Sequence, residues 1–277
     1  MREFDLRALQ MKECEMLKDF AKYCDENGIV YYLMYGTLIG AARHGGFIPW
    51  DDDIDVVMDL KNYRKFLKCA KKNYPEKYFV QNFRTDRNVW INWTKIRMNG
   101  TTSMECNRTD FDIHYGICMD IFPVVGKPKK KIISKLAQKA FRLQNILLGK
   151  YYVKTAGIQA EKKVRILHGI IPEILRTPIC TLLEKIMYVN TERCELCYII
   201  DNEASFSYSF NSKAFTGVSN ERLIFEGEMY RVPNGWKDVL TAQYGDWRTP
   251  PPYTERGGHG DIIVDLENDY KTYYTGK

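Results

Sequence analysis

Three aspartates at alternating positions, Asp51, Asp53 and Asp55, punctuate the run Asp51-Asp52-Asp53-Ile54-Asp55-Val56-Val57. In an extended chain successive side chains point to opposite faces, so these three share one face while Ile54 and Val56 share the other. Aspartate is disfavoured in strands and ionised carboxylates this close repel one another, so the arrangement calls for a compensating charge. A divalent cation is the economical one. Mg2+ takes oxygen ligands and commonly binds through a few carboxylates plus substrate phosphates. A third ligand should lie on a neighbouring strand, and Met119-Asp120-Ile121 supplies it, an aspartate inside an apolar run. The expected set is therefore Asp53, Asp55 and Asp120 around Mg2+ or Mn2+. The competing reading is an acidic, solvent-exposed turn, since turns collect aspartate.

Metal-assisted carboxylate sites of this kind serve phosphoryl transfer, where cations and backbone N–H groups neutralise the phosphate oxygens and little covalent help is needed. Gly36-Thr37, at the junction of an apolar run and a short helix, offers backbone N–H groups at a helix N-terminus. Arg43 and His44, together with Lys95 and Arg97 on one face of a strand, are further candidate phosphate contacts, and Asp51 completes the acidic edge. Arg256 and His259 follow a proline run and could reach the same substrate. Each cation taken singly is as well explained as a solvated or ion-paired surface group.

These residues need positioning. Leu6–Asn27 has apolar residues at helical spacing and Gly28 as its stop. Ile29–Tyr35 reads as a buried strand, Leu38–Ala42 as a short helix broken at Gly45-Gly46, and the acidic run as the next strand. Asp59 caps a helix reaching Asn73. Tyr78–Phe83 and Val89–Met98 pair around Thr85–Asn88, Asn99-Gly100 turns the chain, and Tyr115–Val125 is a strand. Short strands over Leu223–Val232 and a helix over Trp236–Tyr244 complete the pattern.

A chain of 277 residues with 45% apolar content can bury one main core. No run of eighteen apolar residues and no secretory pattern at Met1–Asp5 is present, so the expected location is the cytoplasm or the inner face of a membrane. Eight scattered cysteines fit reduced thiols, and Cys194-x-x-Cys197 reads as helix packing. The net charge of +6 is concentrated, because residues 126–160 hold nine Lys or Arg and no Asp or Glu. That points to a local anionic partner rather than to nucleic acid.

The block from Gly36 to His44, followed by Gly46-Phe47-Ile48-Pro49-Trp50-Asp51-Asp52-Asp53-Ile54-Asp55, closely resembles the signature of the LicD family. Gly116–Pro123 resembles its second motif, and Tyr244–Trp247 with Pro250–Pro252 its third. The resemblance implies an α+β fold, a nucleotidyltransferase-like mixed sheet flanked by helices, related to the fukutin group. It divides the chain into a catalytic core over 1–126, an inserted basic helical subdomain over 127–201, and a part completing the catalytic domain over 202–277. It further implies transfer of phosphocholine from CDP-choline to a cell-surface glycan such as teichoic acid or lipopolysaccharide, with Asp53, Asp55 and Asp120 as metal ligands. Asp51 or Asp53 could instead serve as base. CDP-ribitol, CDP-glycerol and CDP-ethanolamine remain alternative donors, and a non-enzymatic binding protein on the same fold is the other alternative. A choline donor would want an aromatic cage, for which Trp50, Trp90, Trp93, Tyr115, Trp247 and Tyr253 are candidates. In the insert, Lys127, Lys129, Lys130, Lys131, Lys135, Lys139 and Arg142 alternate with Ile132, Ile133, Leu136 and Phe141, which fits an anionic membrane and a lipid-linked acceptor as well as an ordinary packed helix.

Overall fold

The computed structural model describes residues 4–106, 109, 111–149, 158–201, 208–258, 260 and 262–276. Its centre is a mixed seven-stranded sheet in the order β1-β2-β6-β4-β3, with β7 joined to β6 and β8 to β7. The strands are β1 (Tyr32–Leu33), β2 (Asp55–Asp59), β3 (Tyr78–Gln81), β4 (Thr94–Met98), β6 (Cys118–Gly126), β7 (Leu196–Ile199) and β8 (Phe210–Asn211). Of these, β2 and β6 run parallel and every other neighbour pair is antiparallel. Helices α1 (Leu6–Glu26), α2 (Tyr35–His44) and α3 (Leu60–Asn73) pack around this sheet, which makes the chain α+β.

Strand β6 is the spine. Its run Met119 to Gly126 is buried throughout, as a strand covered on both faces must be. One edge pairs with β2 along five residues, Asp55 opposite Asp120 through Asp59 opposite Val124. The other edge is shared, with β4 opposite Cys118–Ile121 and β7 opposite Val124–Gly126. Pro123, which has no N–H to donate, falls at the changeover between those two partners.

The helix boundaries follow local chemistry. Asp5 caps α1 by accepting from the Ala8 N–H at 3.1 Å, and Gly28 follows with φ of +57°. The Asp59 side chain accepts from the Asn62 N–H at 2.7 Å at the start of α3. Gly45, at φ of +67°, ends α2.

Several expected strands are shorter in the structure. Ile29–Tyr35 contracts to Tyr32–Leu33, because the Ile29 N–H closes on the Cys24 carbonyl of α1 and Tyr35 already begins α2. The acidic strand starts at Asp55, and Asp51–Asp53 form an irregular lead-in after a turn in which the Asp51 N–H bonds Ile48 O. Three like charges pressed into a ladder would repel and form poor strand residues, so the chain stays out of the sheet until Asp55. Val89–Met98 pairs only from Thr94, and Tyr115–Val125 begins at Cys118.

After β6 the chain leaves the sheet for α4 (Lys131–Leu148), α5 (Ile158–Ile170) and α6 (Glu173–Met187), then returns as β7 within the span assigned to the insert. Cys197 lies on β7 and Cys194 on the turn before it, so this pair packs at the sheet rather than on a helix, and all eight cysteines are free thiols. The C-terminal part adds the hairpin β9 (Arg222–Phe225) and β10 (Glu228–Arg231), then helix α7 (Trp236–Tyr244). Finally β11 (Ile262–Asp265) pairs antiparallel with β5 (Thr102–Glu105).

Candidate active site

The parallel pairing of β2 with β6 sets Asp55 beside Asp120, and the loop before β2 brings Asp51, Asp52 and Asp53 to the same end of the sheet. Asp51, Asp52 and Asp53 can each offer one carboxylate oxygen with all three within 4.8 Å of one another. Asp55 is buried, and its carboxyl is pushed well up, first by burial and then by the charges of Asp53, Asp120 and Asp51. Hard oxygen donors gathered this tightly, with a buried carboxyl behind them, suit a divalent cation such as Mg2+ or Mn2+.

Asp120 is held from two sides. Lys95, its cross-strand partner, donates to Oδ2 at 2.8 Å, and the Trp93 indole N–H donates to Oδ1 at 3.1 Å. Two oxygens carry about four lone-pair sites, so acceptance from Lys95 and Trp93 leaves room for a metal contact. Burial acts most strongly, to lower the Lys95 pKa, but the charge and hydrogen bond of Asp120 together with Cys118 outweigh it, and the ammonium ends above its usual value.

Beside these groups opens a cavity of about 560 Å³ whose wall includes Asp52, Asp53, Lys95, Arg97 and Asp120. Trp90, Trp93 and Tyr115 form aromatic parts of the same wall, with Val89, Ile91, Ile113 and Ile262. Three of the six cage candidates therefore meet at one cavity. The other three do not: Trp247 packs on Trp236, while Trp50 and Tyr253 lie beneath the Arg256 guanidinium at 4.7 and 5.8 Å.

The expected phosphate contacts divide into groups. Lys95 and Arg97 line the cavity; Arg97 is buried, donating to Gln81 Oε1 and to Gly116 O at 2.8 Å each. Gly36 and Thr37 lie in the first turn of α2, but the position beside Gly36 is taken by Asp51, whose Oδ2 would stand 2.4 Å from an added Cβ. A carboxylate there is favoured by the helix dipole. The Thr37 hydroxyl is buried and accepts from the Asp55 N–H at 2.8 Å, so it fixes β2 to α2. Arg43 donates to Trp247 O at 2.9 Å and to His44 Nε2 at 3.0 Å, and its pKa is lowered by burial and by nearby Arg256. Arg43, His44 and Arg256 thus gather by the C-terminal segment and are not part of the cavity wall, although that segment also brings Gly258 against Asp52. His259 lies outside the described residues.

Two residues of α1 escaped the sequence reading. The Gln10 side chain donates to Asp51 O at 2.9 Å and clamps the acidic loop. Glu13 is only 2% exposed, and its carboxyl is pushed well up by burial and then by Asp53, Cys118, Asp52 and Asp51. The signal was present: Glu13 stands four residues from Leu9 and from Leu17 on the buried stripe of α1, where an acid has no packing reason to be.

The residues that build this site coincide with a family match. Residues 28–148 match the model of the LicD/FKTN/FKRP nucleotidyltransferase domain. The lipopolysaccharide cholinephosphotransferase LicD of Haemophilus influenzae is 28% identical over 276 residues, covering 94% of this chain and 97% of that protein. The human ribitol 5-phosphate transferase FKRP is 42% identical over 50 residues, 17% of this chain and 10% of that protein. Mannosyltransferase regulator 4 of Saccharomyces cerevisiae is 25% identical over 121 residues, 42% of this chain and 10% of that protein. The likeness to the LicD family thus spans residues 28–148 by the domain match, from the strand pair that carries the acids to helix α4, and nearly the whole chain by the Haemophilus influenzae protein.

Proposed function

We propose that this chain is a nucleotidyltransferase-fold phosphotransferase that moves phosphocholine from CDP-choline to a hydroxyl of a cell-surface glycan and releases CMP. The observation that carries the reading is the single cavity in which Asp53 and Asp120, the Lys95 ammonium and the rings of Trp90, Trp93 and Tyr115 share one wall. Carboxylates and cation suit the phosphates. Aromatic faces suit a quaternary ammonium, which they attract through the ring quadrupole.

Asp53, Asp55 and Asp120 would hold Mg2+ or Mn2+, with Asp51 and Asp52 gathered against Asp53 on the loop before β2. When bound, such a cation neutralises charge on the phosphoryl oxygens in the transition state. The chain's own residues do the rest. Lys95 and Trp93 fix the Asp120 carboxylate in place, one at each oxygen. Thr37 and Gln10 hold the two ends of the acidic loop, one at the Asp55 N–H and the other at the Asp51 carbonyl. Val89, Ile91 and Ile113 thin the water around the transferring group. The acceptor oxygen forms a bond to the phosphorus that bears choline as the bond to the CMP oxygen breaks, and the hydroxyl proton leaves to solvent. A nucleotide donor and a chain of free thiols fit a reaction on the cytoplasmic side.

The donor is tested by CMP release from CDP-choline, CDP-ethanolamine, CDP-glycerol and CDP-ribitol, comparing the native chain with Trp93→Leu and Trp90→Leu. The expected result is preference for CDP-choline and a KM for it that rises by about tenfold in the Trp variants, the order of one lost cation–π contact. Preference for an alditol donor, with KM indifferent to Trp90, would keep the phosphotransferase and replace choline.

A further inference from the structure

The insert presents an apolar surface that is exposed among the described residues. In α4, Ile132, Ile133 and Leu136 are exposed, Ile132 to 82%. Lys131, Lys135, Lys139 and Arg142 occupy the neighbouring arc of the same helix and are exposed as well. The opposite side, through Ala137, Ala140, Phe141, Gln144 and Leu147, is buried against the rest of the chain. Helix α6 packs against α4, with Gln144 donating to Cys180 O at 3.1 Å, and turns its own stripe of Ile174, Leu175 and Leu182 to solvent, Ile174 again to 82%. Large aliphatic side chains this exposed, on two packed helices, exceed what a surface ordinarily scatters singly.

We infer that this face of the insert docks the enzyme on an anionic lipid bilayer. The charge chooses the occupant. Residues 126–160 hold nine cations and no acid, and four of those cations flank the apolar stripe of α4. Apolar groups entering the headgroup region beside lysines that meet anionic lipid is the pattern of an interfacial helix. A second copy of the chain is a poor match, because a two-fold contact through α4 would bring Lys131, Lys135, Lys139 and Arg142 towards their own counterparts. Spanning is not the mode. Among the described residues no single helix is long and apolar enough to cross a membrane, and the bent pair 164–170 with 173–193, at 111°, buries Cys180, Leu183 and Met187 within the protein. The inference goes beyond the donor and metal readings and does not depend on them, since none of these residues lines the cavity of the active site.

The test is co-sedimentation of the full chain with vesicles of phosphatidylcholine alone or mixed with phosphatidylglycerol, at about 0.1 M salt, where the screening length is roughly 10 Å. Two variants accompany it: Lys131→Gln with Lys135→Gln and Lys139→Gln, and Ile132→Ser with Leu136→Ser and Ile174→Ser. All six positions are exposed, so thermal unfolding followed by circular dichroism should match the native chain and exclude misfolding as the cause of any change. Expected are binding to the anionic vesicles only, and partitioning weakened by about tenfold or more in each variant. Equal partitioning to both vesicles, no binding, or unchanged binding in both variants overturns the inference. So does a dimer in sedimentation velocity that the Ile/Leu variant dissolves while vesicles stay empty, since that makes a second copy the cover of this face.

Discussion

At the scale of single residues the site depends on how close atoms may come. Gly36 and Gly116 show it by contrast. An added Cβ at Gly116 would meet the Met98 carbonyl at 2.1 Å, a backbone atom that cannot yield, whereas at Gly36 it would meet the tip of the Asp51 side chain at 2.4 Å. Gly116→Ala should therefore fail to fold stably, as measured by thermal unfolding. Gly36→Ala should fold almost as well as the native chain, since alanine gains up to about 1 kcal/mol of helix propensity over glycine, yet lose about tenfold or more in kcat through a displaced Asp51. Native turnover in Gly36→Ala would remove Asp51 from the site. The aspartates were legible because alternation and an acid in an apolar run are sequence patterns. Glu13 was not, because helical apolar spacing was read for what it includes rather than for the one acid that breaks it.

At the scale of elements the site rests on the parallel pair of β2 and β6 and on the segments that brace them. The turn before β6 carries His114, whose ring stacks on Phe79 at 5.1 Å and whose Nδ1 accepts from the Gly116 N–H at 3.1 Å. Burial, and then the charge of Arg97, push this imidazole from 6.5 down to about 4. The facing charges also include Asp269, which raises it, and Lys271, which lowers it. Since the folded pKa lies below the unfolded one, the unfolded chain binds the extra proton between pH 6.5 and 4, and stability must fall as pH drops through that window. The loss should reach up to about 3 kcal/mol. Urea unfolding at pH 7 and pH 5 should show a larger drop for the native chain than for His114→Gln, and equal drops would contradict the burial argument. Helices α1, α3 and α7 were legible from periodicity and their stop or cap residues. The strand lengths were not, because the Asp51–Asp53 lead-in and the start of β2 are held by Gln10 and Thr37, which lie elsewhere in the chain.

At the scale of the whole molecule the proposal makes the carboxylates a stored repulsion that a bound cation would relieve. Adding Mg2+ or Mn2+ in about hundredfold excess over its Kd should raise the melting temperature of the native chain by roughly 5 °C. Asp53→Asn should lose that shift while melting, without metal, no lower than the native chain, because a like charge has gone. An undiminished shift in that variant would place the metal elsewhere. The run of helices after β6 was legible as a change from mixed to basic helical sequence. The sheet's recovery of the chain at Leu196–Ile199 was not, since a four-residue strand is recognised by its partner β6 rather than by its own pattern. The central claim meets its most direct test in CMP release from CDP-choline, with and without Mg2+ or Mn2+, by the native chain and by Asp53→Ala with Asp55→Ala. The account expects metal-dependent CMP from the native chain and none from the double variant; CMP formed equally by both, or without metal, would contradict it.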